Sequence, residues 1–173
     1  MIREDYVLAI DPGTTKSGVS LVRVSDYKPL FAIKDDNDVV QRGLHSIIRA
    51  CGVYPPNVKV VIEKMQGNAL PVGTEVFETC IWIGRFSEYY FNWSGHQIEY
   101  IFRREEYKNL CANIYTKNDK GIRQSLVDRF AYGQPNYGKG TIKNKGWFYG
   151  FSADAWAAYA IAVTWIDKMK EPK

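Results

Sequence analysis

Apolar residues fall along this chain in two rhythms, and each rhythm predicts its own kind of element. Tyr6 to Ile10 (YVLAI) is a short apolar run that stops at Asp11-Pro12-Gly13. Short, apolar and closed by a turn signal, it predicts a buried strand. Gly18 to Val24 (GVSLVRV) alternates and predicts a second strand. Asp26 to Pro29 forms the next turn, and Leu30 to Ile33 predicts a third strand, so the chain opens as an antiparallel meander. From Val39 to Cys51 the rhythm changes, with apolar residues at 39, 40, 44, 47, 48 and 51 in helical spacing. Gly52 and Pro55-Pro56 are expected to end that helix. Val58 to Ile62 (VKVVI) is β-branched and predicts a strand that ends at Glu63. A strand, a helix and a strand of these lengths predict a crossover to a parallel neighbour.

Residues 74–92 carry an aromatic-rich helical pattern, and Gln97 to Phe102 (QIEYIF) predicts a further strand. Gly121 to Phe130 predicts a helix with Ile122, Leu126 and Phe130 on one face. Glycines at 133, 138, 140, 146 and 150 mark a loop or loose hairpin, and a last helix runs from about Ala153 to Met169. No internal repeat or low-complexity tract interrupts this order. The order β-β-β-α-β-α-β-α-α predicts a mixed α/β sheet with helices on its faces.

Composition adjusts this picture little. A length of 173 residues suits one domain spanning 1–173, and 46% apolar residues give it enough material for a core. The net charge of +4 is a mild basic excess, compatible with a polyanionic partner. Cys51, Cys80 and Cys111 show no metal-binding or paired spacing and are expected to be buried free thiols. The MIREDY start is polar rather than signal-like, and no apolar run approaches the roughly 20 residues of a membrane span. A cytoplasmic protein with no membrane partner is expected.

Three carboxylates carry the candidate chemistry. Asp11 and Glu63 each close an apolar strand, and if those strands are parallel neighbours both acids emerge at the sheet edge where open α/β sheets place their sites. Asp154 lies in the first turn of an otherwise apolar helix, where the helix dipole favours its charge and Ser152 is positioned to cap. Ala158, Ile161 and Trp165 share its face, and small alanines let such a helix press against the sheet. Clustered carboxylates repel unless a cation sits between them. Hard divalent ions choose carboxylate oxygens, and two such ions can drive phosphodiester hydrolysis.

The segments AIDPGTTKSGV (9–19), VVIEKMQG (60–67) and SADAWAAYAIAVTW (152–165) resemble the three acidic motifs of RuvC-type Holliday junction resolvases, within the ribonuclease H-like superfamily. NDKGIRQSLVDRF (118–130) and WFYGFSADAWAAYAIAVT (147–164) resemble the bacteriophage-type branch. The resemblance implies a ribonuclease H-like fold: a five-stranded sheet, three antiparallel strands then two parallel, with helices on both faces. It implies a homodimer that nicks four-way DNA junctions in a bacterial cell or phage-infected host, with Mg2+ or Mn2+ and no small-molecule cofactor. It carries both catalysis and metal binding onto Asp11, Glu63 and Asp154. Two departures stand out. Phe151 occupies the position, one turn before the last aspartate, where bacterial relatives often have a fourth ligand. Met65 stands near where those relatives carry a junction-wedging aromatic.

Lys117, Lys120 and Arg123, near the start of the 121–130 helix, are candidates to grip phosphates. Lys139, Lys143 and Lys145 are interleaved with Tyr137, Trp147, Phe148 and Tyr149, a pattern suited to backbone contact and base stacking, although the aromatics are equally suited to packing on the last helix. Arg103 and Arg104, at a strand end, are weaker candidates, and His45 and His96 are read as structural or surface residues. Three other readings compete. Asp11 to Thr15 also resembles the phosphate loop of the actin and hexokinase ATPases, but those need two facing domains and give Glu63 and Asp154 no role. A junction-binding protein without cleavage is the second, with Phe151 as its motive. The third is a ribonuclease H-like nuclease acting on flaps, forks or RNA–DNA hybrids.

Overall fold

In the computed structural model of the chain, residues 5–50, 57–67, 73–112 and 115–171 are described. They contain five strands, β1 (Tyr6–Asp11), β2 (Lys16–Arg23), β3 (Pro29–Asp36), β4 (Val58–Lys64) and β5 (Glu99–Phe102). Five helices accompany them: α1 (Asn37–Ala50), α2 (Thr74–Ser94), α3 (Arg103–Leu110), α4 (Asp119–Phe130) and α5 (Ala153–Lys170). The strands form one sheet in the order β3-β2-β1-β4-β5. β1, β2 and β3 pair antiparallel, and β4 and β5 continue the sheet in parallel with β1. This is the mixed sheet that the apolar rhythm predicts.

β1 and β4 are central and covered on both faces, which is why each reads as a nearly unbroken apolar run. Their side chains alternate between two cores. Leu8, Ile10, Val60 and Ile62 pack with Val40, Leu44, Trp82 and Phe86 of α1 and α2. Val7, Ala9 and Val61 pack on the other face, with Leu110, Ile122, Leu126, Tyr159 and Ile166 of α3, α4 and α5. The same two-residue period assigns Asp11 and Glu63 to the face covered by α3, α4 and α5.

Differences from the expected elements are local. β3 is longer than Leu30 to Ile33, because it stays paired with β2 from Pro29 to Asp36. A helix, α3, follows β5 directly and has no counterpart in the apolar pattern, since Glu106 and Leu110 alone are buried within it. Between 133 and 150 the chain forms a short 3-10 turn (Asn136–Gly138) and one bridge, Gly140 to Lys145, in keeping with a loose hairpin. The expected helix stop at Gly52 and Pro55-Pro56, together with Cys51, lies outside the described residues. Cys111 is buried as expected, but Cys80 is exposed because it falls on the outer face of α2. No described helix is long and apolar enough to cross a membrane.

Candidate active site

β1 and β4 run in register up to Ile10 and Ile62, so the next residues, Asp11 and Glu63, leave the sheet side by side. The turn after Asp11 is pinned from beneath. Buried Asn37, at the start of α1, donates from Nδ2 to the Gly13 carbonyl at 2.9 Å. Its Oδ1 accepts the Ser17 hydroxyl at 2.6 Å. A Cβ on Gly13 would lie 2.3 Å from the Lys16 carbonyl oxygen, so the turn closes this tightly only with glycine there.

Asp154 reaches the pair through a second close approach. Gly18 of β2 lies opposite Asp11, and a Cβ there would sit 2.2 Å from the Asp154 carbonyl oxygen. The missing side chain gives the first turn of α5 its seat on the sheet. Buried Ala155 and Ala158 deepen that contact, as the run of alanines predicts. Ser152 occupies the N-cap position, but its side chain makes no capping hydrogen bond. Lys34 of β3, across from Gly18 on the other side, forms an ion pair with Asp154. Phe151 is buried against Phe148, Trp156 and Tyr159 and belongs to the aromatic core.

The electrostatics show what this convergence costs. Burial, then the Glu63 charge, push the Asp11 carboxyl up to about 8, and Asp154 adds to the effect. Burial also raises Glu63, while Arg103 and a hydrogen bond with Asp11 pull it back. Burial therefore favours a proton held between Asp11 and Glu63. Arg103, the first residue of α3, puts Nη1 3.7 Å from Glu63 Oε2 and 3.3 Å from Glu106 Oε2, and it also pairs with Asp119. Burial works against its charge, but Glu106 and Glu63 outweigh that and raise its pKa. Glu106 is itself fully buried, and burial followed by the Glu63 charge raises it well above the carboxylate range. Among the described residues, no three His, Cys, Asp or Glu side chains already form a group able to hold a metal ion. Basic partners engage two of the three expected acids, Lys34 at Asp154 and Arg103 at Glu63.

A cleft of about 240 Å³ opens over these groups, lined by Asp11, Arg103, Asp119, Lys120, Arg123 and Asp154 among others. Lys120 and Arg123 thus share a cleft with two of the three acids. Arg123 is held in place, its guanidinium 4.0 Å from the Tyr137 ring centre and 5.1 Å from that of Trp156. Lys117 lies apart from that cleft, beside Arg104, Tyr107 and Lys108. Lys143 and Lys145 are exposed, Lys139 is half-buried, and Lys145 sits over the Tyr149 ring. Trp147 and Phe148 pack against the protein, Trp147 half-buried and stacked on Phe130 and Phe148 buried beneath α5. Met65 is exposed just past β4. Arg103 is more central than its place at a strand end suggests, and buried Glu106 is a site residue that the apolar pattern does not mark. The available signal was a charged RREE run directly after a strand on the site's own edge of the sheet.

The backbone fold superposes on a known one. Thermus thermophilus RuvC, solved in complex with a Holliday junction substrate, matches 96% of this chain and 96% of its own at a TM-score of 0.66 and 13% identity. A second Thermus thermophilus RuvC structure matches 95% of this chain and 96% of its own, at a TM-score of 0.64 and 14% identity. The fold is that of RuvC. Neither a protein-family model nor a curated protein sequence matches the chain. The RuvC-like fold thus accounts for β1, β4 and α5 meeting as they do, while the chemistry rests on the residues they bring together.

Proposed function

We propose that this protein is a metal-dependent endodeoxyribonuclease acting on branched DNA, with four-way junctions as its substrate and phage or bacterial DNA recombination as its setting. The observation that carries the reading is the convergence of Asp11, Glu63 and Asp154, from β1, β4 and α5, beside a cleft that also presents Lys120 and Arg123. The donor set fits a hard divalent cation such as Mg2+ or Mn2+. It is all oxygen, and burial raises both Asp11 and Glu63, with the Glu63 charge adding to the rise at Asp11, a strain that a cation relieves. Such an ion, when bound, activates a water and stabilises the leaving oxygen of a phosphodiester. Asp11, Glu63 and Asp154 would hold it, with Lys34 and Arg103 yielding their carboxylates. Arg123, braced by Tyr137 and Trp156, and Lys120, in the first turn of α4, fix a phosphate over the acids. Lys139, Lys143 and Lys145 contact the backbone further out, and Met65 contributes at the rim.

A homodimer fits the surface of α2. Phe77, Ile81 and Phe91 are 59%, 50% and 44% exposed along one side of that helix, whose other side packs on the sheet. Two sites in one dimer allow paired nicks across a junction.

The deciding experiment presents labelled four-way junctions, flaps, forks, duplex and RNA–DNA hybrid to the protein with Mg2+ or Mn2+. Nicking of junctions ahead of the others is expected. Asp154→Asn should lower cleavage by at least about 10³-fold while junction affinity persists, because phosphate contacts dominate binding. Preferred cleavage of hybrid or flap would redirect the substrate assignment. Binding without nicking in either metal would favour a junction-binding protein, a second reading that the buried, non-ligating Phe151 supports.

A further inference from the structure

We propose that Glu106 is a fourth carboxylate of the acidic centre and joins Glu63 in holding a divalent cation, an inference that rests on the metal-site reading above. Register explains how a helix residue comes to stand there. β5 runs parallel to β4 with Ile101 opposite Glu63, and α3 begins immediately after β5. The first turn of α3 therefore emerges beside Glu63, on the edge where the other acids meet. Glu106 is 0% exposed, and a single Arg103 nitrogen lies within 3.7 Å of one oxygen of Glu63 and one of Glu106.

Arg103 satisfies only half of the Glu106 carboxylate. Oε2 accepts from Arg103 Nη1, while Oε1 is buried with no hydrogen-bond partner among the described residues. An oxygen so placed costs stability in the protein alone, and coordination to a cation answers that cost. Charge points the same way. Asp11, Glu63, Glu106 and Asp119 set four carboxylates against the one guanidinium of Arg103, an excess of negative charge that a divalent ion would offset. A purely structural glutamate needs neither the free oxygen nor the company of other acids.

Mn2+ binding to the full chain, followed by the loss of the free-ion electron paramagnetic resonance signal, tests this without reference to cleavage. Glu106→Gln is nearly isosteric and should weaken Mn2+ binding by about tenfold or more. Arg103→Ala separates ligation from anchoring, because the two variants form a cycle. If Glu106 binds the ion, adding Glu106→Gln to Arg103→Ala weakens binding again. If it merely anchors Arg103, the double variant binds Mn2+ as tightly as Arg103→Ala does, and the proposal falls. In that event loss of binding in Glu63→Gln would leave the wider metal-site reading standing. A wild-type protein that takes up no Mn2+ would overturn both. Circular dichroism melting without metal checks the fold of each variant. Glu106→Asp, which keeps the charge but withdraws the oxygens, serves with the same expected loss should Glu106→Gln fail to fold.

Discussion

At the scale of single residues the site is a problem of protons. Asp11 sits next to Glu63 in a place that penalises charge, so its carboxyl is pushed up to about 8. A cation must displace that proton. Mn2+ or Mg2+ binding should therefore release protons near neutral pH and tighten as pH rises through about 8. Calorimetry in buffers of different ionisation heat measures the release, and a binding heat independent of buffer would contradict it. The same shift acts on metal-free stability, with a defined sign. A carboxyl whose folded pKa lies above its unfolded value stabilises the fold fully below the unfolded value, and that contribution is lost as pH climbs through the folded pKa. Asp11→Asn has no such charge to bury. It should match the wild type only below about pH 4, gain on it as pH rises, and melt at a clearly higher temperature near about pH 9. A wild type at least as stable as the variant at the higher pH would refute the raised carboxyl.

At the scale of elements the question is what lets a helix end touch a sheet edge. The backbone of Asp154 rests where a Cβ of Gly18 would be, so Gly18→Ala must lift the first turn of α5. Overpacking of this kind costs about 1–3 kcal/mol. A displacement near 1 Å at a catalytic group costs about 10² in rate. Melting temperature and cleavage rate measured together should both fall, and a variant with wild-type values for both would show that α5 has room to spare. Much of this architecture was legible in the chain. β1 and β4 announce themselves as apolar runs ending in acids, and the small residues of α5 signal close packing. α3 was not legible, because RREEYKNL has no apolar period and buries a glutamate, the residue type least expected inside. The cap at Ser152 misled for a related reason: the residue type favours capping, but its side chain does not make the bond. Trp147 and Phe148, spaced among lysines, looked equally suited to DNA or to the core, and only the fold shows them against Phe130 and beneath α5.

At the scale of the molecule the site lies at one edge of the sheet, while α2 covers part of the face opposite α5 and turns an apolar side outward. The spacing of Phe77, Ile81 and Phe91, with Gly84 and Glu88 between, steps by four, three, four and three residues, the rhythm of a helix seam. A Cβ at Gly84 would meet nothing within 4 Å, so that glycine answers no need of the isolated chain. Close approach of a second helix would give it one. Phe77→Asp together with Ile81→Asp places two charges on the seam without touching Trp82, Ile83 or Phe86, which face the core. The variant should sediment as a monomer where the wild type sediments as a dimer, with an unchanged circular dichroism spectrum. Because Asp11, Glu63 and Asp154 all come from one chain, the monomer should keep its Mn2+ affinity and still nick DNA. What it should lose is coupling. On a supercoiled cruciform, wild-type cuts on the two strands would fall within one binding event and yield linear product directly, whereas monomer cuts would accumulate as nicked circles. Direct linearisation by a proven monomer would show that the seam does not pair the two sites.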